Sequence, residues 1–182
     1  MALRMVSLLL DEVARREIDL VRALYDRAAV DSSPPQVPLV FPFDENTSTS
    51  DLADMIGLIV AVHQPFMLEL AQPERFFDGD DQLLQFLVRK GADESQRLAG
   101  ALYRDIFSHH RPDDARDTPL QRTALTAGRF STQDDADRAV AELRDKSYFL
   151  VVTEVGILEA DKESGWSVQR TLRLGNMIES GL

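Results

Sequence analysis

The chain has 182 residues, 44% of them hydrophobic and 7% aromatic, enough for a true core in one domain of two small lobes spanning residues 1–182. Acidic residues number 31 against 20 basic ones, a formal net charge of −11, so the chain repels polyanions and extended nucleic acid is not an expected partner. The chain contains no cysteine, which excludes disulfides, thiolate metal sites and cysteine nucleophiles and suits a cytoplasmic location.

The opening run Val6-Ser7-Leu8-Leu9-Leu10 is too short to cross a membrane and meets Asp11-Glu12 at once. It reads as a first strand, with no membrane partner. From Asp11 to Arg27, Val13, Ile18, Val21, Leu24 and Tyr25 form one helical stripe over a charged face. Pro34-Pro35 ends that region. Gln36 to Phe43 then reads as a strand, with Val37, Leu39, Phe41 and Phe43 on one face and Gln36, Pro38, Val40 and Pro42 on the other. The polar stretch from Asn46 to Ser50 supplies helix caps for a helix over about Asp51–Val62, with Leu52, Met55, Ile56 and Ile59 as its stripe.

Strands are expected at 66–70 and 83–88. Asp93 and Gln96 form a capping box for a helix carrying Leu98, Leu102 and Ile106. A polar loop over about 108–122 leads to a strand at Ala124–Phe130, then to a helix capped by Ser131 or Thr132 and carrying Ala136, Val140 and Leu143. Two closing strands, near 148–160 and 166–174, are joined by a turn at 161–165. A strand, a capped helix and a strand pair occur after Val37 and again after Ala124. The pattern predicts an α+β fold of two related lobes.

These segments resemble the 2H phosphoesterases, a family that includes bacterial 2′-5′ RNA ligases and cyclic phosphodiesterases. The resemblance rests on Leu39-Val40-Phe41-Pro42-Phe43, on Pro65-Phe66-Met67-Leu68 and on the stretch from Leu102 to Asp113. It continues through Leu125-Thr126-Ala127-Gly128-Arg129-Phe130, Trp166 and Leu174-Gly175, so it runs from Val6 to Gly175. It implies two lobes of antiparallel sheet with flanking helices around a central groove. It also implies two His-x-Thr/Ser motifs, one on a central strand of each lobe, whose imidazoles exchange protons with the attacking and leaving oxygens. Here Gln36-Val37-Pro38 stands at the first motif and Ala124-Leu125-Thr126 at the second, so only Thr126 matches a signature side chain. The three histidines, His63, His109 and His110, lie elsewhere. Glutamine and alanine do not titrate near neutral pH, and a positioned acid or base contributes roughly 10²–10⁴-fold.

The resemblance therefore implies a groove that has lost its acid–base pair and gained apolar surface. Gln36 and Thr126 would be hydrogen-bonding anchors and Pro38 and Ala124 apolar wall, for a small, largely uncharged molecule. A cyclase or isomerase acting by shape and hydrogen bonding is the enzyme class that such a groove would suit, and no cofactor is required. Two other readings stay open: a non-enzymatic interaction or regulatory protein, and a cyclic phosphodiesterase that uses displaced histidines. His109-His110 with Asp113 and Asp114 fits no standard metal-ligand spacing, and no metal is expected. Arg122 and Arg129 flank the second motif; alternation turns Arg129 away from Thr126 and toward a structural ion pair. Glu154 is read as a solvent-facing carboxylate, with a buried acid as the alternative.

Overall fold

The first sheet is built on β1 (Leu3–Leu9), whose buried centre Met5-Val6-Ser7-Leu8 is flanked by neighbours on both sides. The structure, a computed structural model, describes residues 3–44, 46–78, 81–110, 123–161 and 165–175. β2 (Gln36–Asp44), β7 (Glu154–Asp161) and β8 (Gly165–Arg173) complete this sheet in the order β2-β1-β7-β8. The second sheet has the order β5-β4-β3-β6, from β3 (Phe66–Asp78), β4 (Asp81–Val88), β5 (Ala124–Phe130) and β6 (Tyr148–Val152). All the strand pairs are antiparallel. The α+β architecture is the one expected.

Helices cover one face of each sheet. α1 (Glu12–Tyr25) follows β1 but packs under β5 and β6 of the other sheet. α3 (Thr49–Ala61) lies against β7 and β8, and α4 (Ala92–Asp105), which follows β4, crosses back to β2. α5 (Gln133–Leu143) supports β3, β4 and β5. Buried side chains from both sheets, among them Val6, Leu39, Phe86 and Leu125, join in one apolar cluster. Ser48 and Thr132 cap α3 and α5 by accepting from the backbone N–H groups of Asp51 and Asp135. No described helix is long and apolar enough to cross a membrane.

Several local expectations need correction. The expected helix 11–27 stops at Tyr25, because Asp26 caps a second short helix, α2 (Arg27–Ser32). The buried stripe of α1 is Ala14, Ile18, Val21 and Arg22, while Val13 and Leu24 are exposed. In α3, Met55 likewise faces outward. Asp93 is not a cap: the cap position is Gly91, left-handed at φ 80°, and Ser95 donates back to its carbonyl at 2.6 Å. The expected strand 148–160 is two strands, because the chain leaves the second sheet after Val152 and enters the first at Glu154. β3 runs well past Leu70, carried by a bulge at Gln72, whose φ of 51° is left-handed. The turn at 162–164 lies outside the described residues.

Two glycines test this backbone with opposite signs. A Cβ on left-handed Gly91 would meet the Met67 carbonyl oxygen at 2.6 Å, so Gly91→Ala should lower stability by about 1–3 kcal/mol. Gly57 lies inside α3 with its nearest neighbour at 4.0 Å, so Gly57→Ala should raise stability by about 0.5–1 kcal/mol. Urea denaturation midpoints of the two variants would check both signs.

Candidate functional site

β2 is an edge strand, the position in a sheet where Pro38 and Pro42, which lack N–H donors, are tolerated. Two side chains fix its course. Arg22 is buried at the end of α1 and donates to the carbonyls of Ala29 and Ser33 at 2.5 and 2.8 Å, and to Asp19 at 3.0 Å. Burial pulls its pKa down, and Asp19 opposes that shift. The clamp holds the chain just before Pro34-Pro35 and the start of β2. Farther along, the Phe41 N–H donates to the hydroxyl of fully buried Tyr103 on α4, at 3.1 Å.

Gln36 pairs opposite Leu9 and Pro38 opposite Ser7, so both point away from the core that holds Val37 and Leu39. The alternation expected for the rest of β2 fails. The pairing steps from Pro38 opposite Ser7 to Val40 opposite Val6, so Leu39 is bulged and Val40 turns inward to full burial. Val40 therefore belongs to the core and not to the face of Gln36 and Pro38.

β5 is the matching edge of the second sheet and packs beside β2, so the two motif strands are edges and not the central strands that the resemblance implies. Ala124 pairs with Leu87 and Thr126 with Gln85, again opposite in sense to the buried Leu125. Gln85 Nε2 donates to Thr126 Oγ1 at 3.3 Å. The same face continues across β3 and β6 through Ala71, Met67, Phe149 and Val151. Met67, Phe149 and Val151 are each about half exposed, at 51%, 54% and 46%. This face is largely apolar, but it carries the partly buried Glu69 opposite Phe149, whose ring lies 5.7 Å from the Lys90 ammonium, and a polar corner of Glu74, Gln85 and Thr126. Thus Gln36, Pro38, Ala124 and Thr126 lie on the core-averse faces of two adjacent edge strands.

A bulge at Ala127 also changes the place of Arg129. It pairs with Leu83, on the Gln85 side of β4, so it shares the face of Thr126 instead of turning from it. Its guanidinium forms the expected ion pair, with Asp81. Arg122 lies outside the described residues.

The face of β1 and β2 holds two polar atoms that sequence reasoning missed in part. Gln36 Nε2 donates to Met5 Sδ at 3.2 Å, a weak acceptor, while its Oε1 is buried with no hydrogen-bond partner among the described residues. Fully buried Ser7 has its Oγ in the same condition. Leaving such an atom unsatisfied costs about 1–3 kcal/mol. Ser7 was visible only as a lone hydroxyl in the run Val6-Ser7-Leu8, and nothing in sequence said which face it would take.

The other singled-out residues lie apart. His63 Nδ1 is 2.8 Å from the Ile59 carbonyl oxygen at the end of α3. His109 and His110 sit on the short 3₁₀ turn Ser108–His110, where the His110 ring lies 5.8 Å from that of Phe43. Asp113 and Asp114 lie outside the described residues, and among those described no three His, Asp or Glu side chains gather as metal ligands. Glu154 begins β7 and meets Arg173 at 3.7 Å, as a partly exposed carboxylate. A separate cavity of about 430 Å³ lies between α1, α5 and β5, lined by Tyr25, Arg129, Arg138 and Glu142. There the Tyr25 hydroxyl donates to Glu142, and burial together with that carboxylate pushes its pKa up to about 12. At neutral pH it is a donor and not a base.

Comparison with known proteins agrees with this geometry. The model of the family described as 2′-5′ RNA ligase superfamily matches residues 10–163. Among solved structures, the chain is similar to TT0787 of Thermus thermophilus, with 13% identity and a TM-score of 0.66, covering 95% of this chain and 98% of that one. It is also similar to apo LigT of E. coli, with 15% identity and a TM-score of 0.60, covering 95% and 97%. LigT complexed with 3′-AMP gives 14% identity and a TM-score of 0.59, covering 95% and 98%. These likenesses establish a shared fold. No curated protein sequence matches the chain.

The Tyr103 hydroxyl is the anchor of β2 that a single atom can remove. Tyr103→Phe keeps the ring and strands the Phe41 N–H, so it should lower stability by about 1–3 kcal/mol in urea unfolding.

Proposed function

The chain belongs to the 2′-5′ RNA ligase superfamily, and from that premise we propose that it is a repurposed member that binds a small, largely uncharged molecule in the groove between β2 and β5. One observation carries the proposal. The side chains that the two motif strands turn from the core are Gln36 and Pro38 on β2, and Ala124 and Thr126 on β5. None of them exchanges a proton near neutral pH, and two are apolar. The imidazoles are not within those strands: His63 ends α3, and His109 and His110 follow α4. Phosphodiester cleavage by a histidine pair thus has no general acid or base in place.

In this reading Gln36 and Thr126 orient the ligand by hydrogen bonds, while Pro38 and Ala124 give it apolar contact. The open face of Leu87, Met67, Phe149 and Val151, with the Glu69 carboxylate among them, extends that wall. If a reaction follows, it is one that shape and hydrogen bonding can direct, such as the cyclisation or isomerisation of a folded apolar chain. No step requires a metal or an organic cofactor.

A second reading, an interaction protein without turnover, draws on α3. Met55, Leu58 and Val62, spaced at i, i+3 and i+7, present an exposed apolar stripe, with Leu58 77% exposed.

Thermal-shift titration separates these readings. A ligand that binds the folded state alone raises stability by RT ln(1 + [L]/Kd), about 2.7 kcal/mol at a hundredfold excess over Kd. The expected result is a shift with uncharged polyketide- or terpenoid-like compounds, abolished by Ala124→Phe and weakened by Gln36→Ala. A shift with cyclic nucleotides alone, accompanied by hydrolysis that is lost on replacing His63 or His109, would overturn the reading in favour of a phosphodiesterase. No shift with either class would favour the interaction protein.

A further inference from the structure

The groove face of the first sheet carries more chemical information than its apolar character. Its polar atoms near the motif strand are the Gln36 amide and the Ser7 hydroxyl, one pairing apart on β2 and β1. They stand among Met5, Leu9, Pro38 and Leu158. Ser7 is flanked by Pro38 on one side and Gly156 on the other, so neither neighbour offers it a polar side chain. Leu9 fills the space over Gly156, where a Cβ would lie 2.7 Å from the leucine. Gln36, Pro38 and Leu9 are partly exposed, while Ser7 is fully buried.

The two polar groups are set up for a particular kind of partner. The Gln36 amide has turned its donor to Met5 and leaves its carbonyl oxygen buried without a donor among the described residues. Pro38 contributes no N–H. A phosphate oxygen brought here would meet an acceptor, and an acceptor repels it. The serine hydroxyl both donates and accepts, so it can complete a bond of either sense. Buried polar atoms in folded proteins are nearly always hydrogen-bonded, and each exception calls for an explanation such as strain, a functional role, or a water or ion that completes the bond.

We propose that this pair recognises an uncharged ligand by a hydroxyl group, whose O–H donates to Gln36 Oε1 and whose oxygen accepts from the Ser7 hydroxyl. The proposal rests on the groove reading above and narrows it, from any neutral molecule to one that presents an alcohol or enol to this wall. Ser7 becomes a specificity residue of the site. The apolar remainder of the ligand lies against Pro38 and Ala124.

The test uses matched probes: cyclohexanol, methoxycyclohexane and cyclohexyl phosphate. Each is titrated into the full chain labelled with ¹⁵N, and the Gln36 side-chain amide resonance is followed, assigned by its absence in Gln36→Leu. Cyclohexanol should shift that resonance in a saturable way, while the ether and the phosphate should not. Ser7→Ala should weaken the alcohol about tenfold while its own melting temperature stays equal to wild type or rises, as expected when an unbonded hydroxyl is removed. A fall in melting temperature on Ser7→Ala, with no change in alcohol affinity, would show a partner within the protein and overturn the proposal. Equal binding of alcohol and ether would overturn the hydroxyl recognition and leave the neutral groove standing. Binding of the phosphate alone, or of no probe, would remove both.

Discussion

One apolar core serves both sheets, and the rest of the molecule depends on that commitment. Each sheet gives one face to the core, where Val37, Leu39, Leu125 and Phe86 are buried together with Ile18 of α1 and Leu98 of α4. With α1 crossing to the second sheet and α4 crossing to the first, neither face can turn over without exposing the other. Chemistry is therefore confined to the opposite faces. Strand alternation then selects the residues: on β2 Gln36 and Pro38, on β5 Ala124 and Thr126. The same constraint keeps the histidines apart from those residues, since His63 and His110 stand with the helices and with Phe43 of the core.

The parts of this fold legible in sequence were those governed by short-range physics. The caps at Ser48 and Thr132, the break at Pro34-Pro35 and the strands at Gln36 and Ala124 depend on residues within a few positions of one another. The failures share a different cause. Bulges at Leu39, Gln72 and Ala127 arise from pairing with β1 and β4, and each reverses the faces of the residues after it in its own strand. That is why Val40 and Arg129 lay on the wrong sides. The crossing between sheets at Thr153 left no mark either, because Val151-Val152 and Val155 suit a strand equally well in either sheet. The four site residues escaped these errors because they lie before the bulges in their strands. Ser7 was missed because a hydroxyl in an apolar run says nothing of its partners until the register is known.

Charge and site chemistry act at different ranges. The net charge of −11 governs approach from solution and disfavours a polyanion. Beside Gln36 and Ser7, the local donors and acceptors act at hydrogen-bond range instead. On the face of Thr126, Arg129 is engaged with Asp81, whereas the pairs Arg75–Asp137 at 2.8 Å and Arg4–Glu159 at 3.1 Å lie on the helix-covered faces. Such pairs stabilise little at an exposed surface, yet each leaves one cation less available to an incoming anion.

Under stability alone, the face of β1 and β2 that carries Gln36 and Pro38 would be expected to fill with well-packed apolar side chains. Large parts of it are filled that way: Leu158 and Met5 are buried and Leu9 covers Gly156. Gln36 and Ser7 stand against that trend. A leucine and an alanine in their places would satisfy the same strand geometry and remove two buried unbonded atoms, each with a penalty of about 1–3 kcal/mol. Arg22 Nε and Gln82 Oε1 are likewise buried without a partner away from this face, and together such atoms are a sizeable fraction of a net stability that is typically about 5–15 kcal/mol. Keeping the pair makes physical sense when the missing hydrogen bonds are completed by something that enters the groove.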